Sequence, residues 1–84
     1  MEKRFGAILI LLTNKTSVPR VNTLLTEHSE IILGRQGIPI RDHGINIISL
    51  VIEGDTDRIN ALTGKIGKLE GVEVRSILTK YREQ

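Results

Sequence analysis

Two segments of the chain are apolar on both of the faces a strand would present. Ala7–Leu12 is an unbroken run of aliphatic side chains. In Ile45–Ile52, the even positions Ile48, Leu50 and Ile52 and the odd positions Ile45, Ile47 and Val51 are all large aliphatics. Side chains alternate across a strand, so a strand with one wet face alternates apolar with polar. These two segments lack that alternation and read as the central strands of a sheet. Basic residues at positions 3 and 4 ahead of the first run mimic a secretory leader. The run is far shorter than the ~20 residues that span a bilayer, and Thr13–Thr16 offers no small-x-small cleavage site. A buried strand in a cytoplasmic protein, with no membrane partner, is the expectation.

The remaining elements follow from spacing and punctuation. The first strand covers about Lys3 to Thr13, and Asn14–Ser17 is a turn. Ser17 is an N-cap candidate with Pro19 in the first helical turn, where its missing N–H is harmless. Val18, Val21, Leu25 and His28 recur at helical spacing, which predicts a helix to about Ser29. A second strand starts at Ile31. Gly34 and Gly37 are expected to bend it, and Pro39 cannot donate to a ladder, so it belongs at a sheet edge. Asp42-His43-Gly44 is a hairpin turn leading into Ile45–Glu53. Asp55 or Thr56 caps a second helix with the stripe Ile59, Leu62, Ile66, Leu69, and Gly71 follows in a left-handed position. Val72 to about Lys80 is the last strand. The order strand, helix, strand, strand, helix, strand predicts an α+β ferredoxin-like βαββαβ sandwich with a four-stranded antiparallel sheet, one domain over residues 1–84.

That fold puts both helices on one face of its sheet. Whichever set of central-strand side chains meets the helices, five or six large aliphatics are left on the other face, more than a soluble monomer usually exposes. A homo-oligomer that covers this face, most simply a two-fold dimer with stacked sheets, is therefore expected. Composition supports a packed domain, since 28 of 84 residues are Ile, Leu or Val, and it excludes disulfides and thiolate metal sites because Cys is absent. The net charge of +2 is spread along the chain and offers no nucleic-acid footprint.

Chemistry-bearing residues are few. No cysteine nucleophile exists, and no phosphate loop or dinucleotide fingerprint occurs. His28 lies on the apolar stripe of the first helix. It reads as a buried, hydrogen-bonded histidine, or as the acid–base group of a small enzyme whose cleft is enclosed by dimeric domains. His43 sits in the hairpin turn. Two distant histidines without sulfur make no metal site within one chain, and no cofactor is expected. Strand periodicity places Arg35 and Arg41 on one face of the second strand. There they either clamp a carboxylate or phosphate or serve as edge charges that discourage strand pairing. Gly64 and Gly67, inside the second helix, most often signal close helix approach.

The blocks Met1-Glu2-Lys3-Arg4-Phe5, Val21–Leu25, Ile32-Leu33-Gly34-Arg35-Gln36-Gly37-Ile38-Pro39 and Ala61–Leu69, with Gly71-Val72, resemble the small proteins described as regulators of the iron-only hydrogenase system. That ACT-like family is similar to the C-terminal domain of nickel-responsive repressors. The resemblance implies a ferredoxin-like, ACT-like fold, oligomerisation through the sheet and a regulatory role. Amino-acid-binding ACT domains have a glycine in the loop after the first strand, and Asn14–Ser17 has none. The repressors' metal-binding cysteine is absent, and one fold over 84 residues leaves no room for their DNA-binding domain, so direct nucleic-acid contact is not expected. The combined reading is a non-catalytic regulatory module that partners itself and senses a small-molecule effector at a subunit interface. Its candidate contacts are Arg35 and Arg41, with Asn14 and His43 beside them.

Overall fold

A computed structural model describes residues 2–82; Met1, which opens the first block of resemblance, lies outside them. The elements are β1 (Arg4–Leu12), α1 (Val18–Glu27), β2 (Ile32–Ile40), β3 (Ile45–Gly54), α2 (Thr56–Gly67) and β4 (Val72–Arg82). Short 3-10 turns at Lys15–Ser17, Ser29–Ile31 and Arg41–His43 precede α1, β2 and β3. The sheet order is β2-β3-β1-β4, and β1 runs antiparallel to both β3 and β4, as β2 does to β3. The two apolar strands, β1 and β3, are the central pair.

Register fixes which set faces the helices. Ile8, Ile10 and Leu12 stand opposite Leu50, Ile48 and Asn46. These aliphatics pack under Val21, Leu24 and Leu25 of α1 and Ile59, Leu62 and Ile66 of α2, all buried. Ile31, placed by its 3-10 turn, closes one end of the core. Asp55 starts α2 in extended conformation, and its carboxylate accepts from Arg58 N–H at 2.9 Å, satisfying one of the free donors of the first turn.

Four local expectations are corrected. Ser17 is the N-cap residue of α1 but makes no side-chain cap; its hydroxyl instead donates to Glu70 O at 2.7 Å. α1 ends at Glu27, with His28 as its C-cap. β2 bends at a bulge at Leu33, between the pairs Ile32–Ile52 and Gly34–Val51, and neither Gly34 nor Gly37 has positive φ. Gly64 permits no close approach, because a Cβ added there would meet nothing within 4 Å. It therefore only weakens α2, and Gly64→Ala should stabilise the protein by about 1 kcal/mol. In a domain of this size that is a rise of about 4–8 °C in a thermal melt; an unchanged midpoint would refute the assignment.

Gly71 does adopt a left-handed conformation, φ 70°, four residues beyond the end of α2. It sits where the α2–β4 turn meets the β1–α1 turn. Thr13 N–H and Thr13 Oγ1 both donate to Gly71 O, at 2.7 and 3.0 Å. With the Ser17–Glu70 bond, these lock the two turns together at one end of the sheet.

Candidate functional site

The sheet face away from the helices carries Phe5, Ala7, Leu9 and Leu11 of β1, Ile47 and Val51 of β3, Ile77 of β4 and Ile38 of β2, placed there by register with one another. Leu9 and Val51 are each 52% exposed and Ile77 is 73% exposed, although two of these belong to the central strands. Phe5 and Tyr81 add an aromatic contact with ring centroids 5.6 Å apart. A shallow hollow of about 200 Å³ lies among Leu9, Leu11, Ile47, Glu73 and Arg75, and the last two form an exposed ion pair of 3.0 Å at its rim. Such pairs contribute little by themselves. The face is thus an apolar surface with one charged margin.

At the end of the sheet where β2 turns into β3, two hollows adjoin, sharing Pro39 and Asn46. The first, of about 210 Å³, lies between β2 and α1 and includes Asn22, Arg35 and Gly37. Arg35 stands opposite Leu50 in the register, so it is on the helix side of the sheet, and its Nη2 donates to Asn22 Oδ1 at 3.1 Å. The second, of about 310 Å³, includes Lys15, Arg41 and Gly44. Arg41 opens the 3-10 turn beyond β2 rather than lying in the strand. The expectation that positions 35 and 41 share one strand face is therefore corrected: the two guanidiniums line neighbouring hollows on either side of Pro39–Asn46.

Asn14 and His43 are placed differently. Asn14 Oδ1 accepts from Thr16 N–H and Thr16 Oγ1 at 3.0 and 2.7 Å, and its Nδ2 donates to Glu70 Oε1 at 3.4 Å. Its side chain organises the two turns. His43 is exposed in the β2–β3 turn and lines neither hollow. The residues that spacing did not single out are Lys15 and Asn46. Asn46 carries a legible signal, being the polar member of the series Asn46, Ile48, Leu50, Ile52 that faces the helices. Its half-buried amide has no hydrogen bond to any described residue.

His28 is half-buried, and its Nδ1 lies 2.9 Å from Leu24 O. It lines none of the hollows described above. Among the described residues, no group of three or more His, Asp and Glu side chains could hold a metal ion. No helix among them is long and apolar enough to cross a membrane.

A sequence profile for the TM1266-like family, described as "Iron-only hydrogenase system regulator, putative", matches residues 4–76. The chain belongs to this family. The uncharacterized protein TM1266 from Thermotoga maritima is 40% identical, covering 93% of this chain and 99% of its own, with a TM-score of 0.89. Two more distant structures resemble this TM1266-like chain in fold alone. The C-terminal domain of MgtC from Mycobacterium tuberculosis is 10% identical, with a TM-score of 0.70 over 93% of this chain and 89% of that one. A formyltetrahydrofolate deformylase from Pseudomonas syringae pv. tomato is 15% identical, with a TM-score of 0.68 over 94% of this chain and 28% of that one. No curated protein matches. The span 4–76 contains the Arg35–Pro39 and Leu62–Lys65 blocks from which the family resemblance was read.

Proposed function

We propose that this TM1266-like protein is a non-catalytic, cytoplasmic regulatory module that works as a homo-oligomer and senses a small ligand at a subunit interface. The observation that carries the proposal is the apolar sheet face, where Leu9 and Val51 of the central strands lie half exposed. A second copy is the occupant that fits. The same patch on both partners is self-complementary across a two-fold axis, and the Glu73–Arg75 margin would bring each acid near a partner's base. Membership of a family of regulators supports signalling rather than turnover.

Regulation follows if a ligand binds one assembly state better than another, since it shifts the equilibrium only by that difference in affinity. The ligand contacts are drawn from Arg35 and Arg41, with Asn14 and His43 nearby in the turns at the same end of the sheet. Sedimentation velocity at low micromolar concentration, with and without a panel of amino acids, nucleotides and divalent metals, tests the proposal. An oligomer whose distribution changes with a ligand is the expected result. A single 9.4 kDa species throughout would overturn it.

A further inference from the structure

We infer that the adjoining hollows at the β2–β3 end bind a small molecule carrying two or more anionic groups, phosphate or carboxylate. Arg35 holds one end, Lys15 and Arg41 the other, and the Asn46 amide the uncharged middle. This rests on the ligand-sensing reading above, names the class of ligand, and places it at the β2–β3 end, with Arg35 on the helix side of the sheet, rather than on the apolar face.

Charge balance distinguishes these two hollows from three others. Elsewhere cations and carboxylates line the same depression: Arg75 with Glu73 on the open face, Arg4 with Asp55 and Asp57 beside α2, and Lys3 and Arg58 with Glu30, Glu53 and Asp55 at the opposite end of the sheet. There the opposite charges answer each other, as in the Arg58–Glu30 and Arg58–Asp55 pairs of 3.5 and 3.6 Å. Among the described residues, no carboxylate lines either hollow at the β2–β3 end. Lys15 and Arg41 make no ion pair or side-chain hydrogen bond with any described residue. Asp42, next to Arg41 in the turn, pairs with neither.

The remaining features suit a ligand. Arg35 offers five N–H donors in a planar fork and spends one on Asn22, which orients the guanidinium while leaving donors for a carboxylate or phosphate. Gly37 lines the first hollow, and a Cβ added there would meet nothing within 4 Å, so the space above its backbone is open. The Asn46 amide, without a partner, supplies a donor and an acceptor between the cations.

Magnitudes decide why one anionic group is not enough. A single exposed ion pair contributes at most about 1 kcal/mol, so useful affinity needs several contacts made together. Arg35 and Pro39 are four strand residues apart, about 13 Å at ~3.3 Å per residue, with Arg41 beyond. A compact ion reaches one end only, whereas a nucleotide-sized anion reaches both. Three cations around two hollows are too few for a duplex nucleic acid, which needs a basic stripe.

The test is isothermal titration and thermal shift on the purified protein with inorganic phosphate, citrate and ATP, and with leucine and Ni²⁺ as the other ligand classes. ATP is expected to bind at least about tenfold more tightly than phosphate, and citrate set against phosphate, two compact ions, separates carboxylate from phosphate recognition. Arg35→Gln and Arg41→Gln should each weaken binding by up to about fivefold, and added salt should weaken it further. Arg75→Gln, on the open face, should leave it unchanged. Equal binding by wild type, Arg35→Gln and Arg41→Gln overturns the site. A response to leucine or Ni²⁺ with none to the anions overturns the anion assignment and leaves ligand sensing standing. Silence from all five probes removes both.

Discussion

Val51→Asp, and independently Leu9→Asp, should convert the proposed oligomer to monomers without unfolding the protein. Both side chains are half exposed on the helix-free face, outside the core formed by Ile8, Ile10, Leu50 and their neighbours. Each substitution places a carboxylate on that face of every copy, so a two-fold interface would have to bury two of them unpaired. The penalty for an uncompensated buried charge is about 3–5 kcal/mol, which raises the dissociation constant by about a hundredfold to several thousandfold. Sedimentation equilibrium measures the shift, and an unchanged far-ultraviolet circular dichroism spectrum confirms that the sheet is intact. Lys65→Glu, on the outer surface of α2, should alter neither. An Asp variant that assembles like wild type would place the interface elsewhere.

Gly71→Ala should be the most damaging single methyl addition at this end of the molecule. The residue has φ 70°, where an L side chain costs about 1–2 kcal/mol. The new Cβ would also be driven against Asn14 Cβ, with Thr13 Oγ1 at 3.2 Å. Overpacking of that kind adds about 1–3 kcal/mol, so a total of about 2–5 kcal/mol is expected, a large fraction of the stability of a domain this small. Urea unfolding at fixed protein concentration should show a lower midpoint with an unchanged slope. A loss below about 1 kcal/mol would mean that the two turns separate easily and that Asn14 is not held as described. Because Lys15 follows Asn14 directly, loosening this contact should also blunt the response to anions.

The central strands and both helices were legible because apolar residues on two faces and on one stripe leave different periodicities. Ala7–Leu12 could occupy only a position paired on both edges, and the stripe Ile59, Leu62, Ile66 could face only a core. The placement of the candidate ligand residues was less legible. Counting by twos along β2 assumed that the strand runs through Arg41, whereas it ends at Ile40. Arg35 and Arg41 therefore keep their proximity but not their common face. Asn14 was noticed as a turn residue, yet its carbonyl is taken by Thr16, a contact made two residues away that composition cannot distinguish from a free side chain. Asn46 broke an apolar series and could have been singled out on that ground. The pairing of Lys15 with Arg41 depends on three-dimensional closure between segments 26 residues apart.

One margin of the sheet also limits how copies can add to one another. β2 has a neighbour on one side only, and its unpaired side is interrupted by the Leu33 bulge near one end and by Pro39, which has no N–H, near the other. The uninterrupted stretch between them spans residues 34–38, too short a template to recruit another ribbon side by side. Growth along that direction would produce filaments. Its obstruction leaves the β4 margin and the proposed stacking through the apolar face as routes to association, and of these a contact that consumes its own surface on both partners closes instead of propagating.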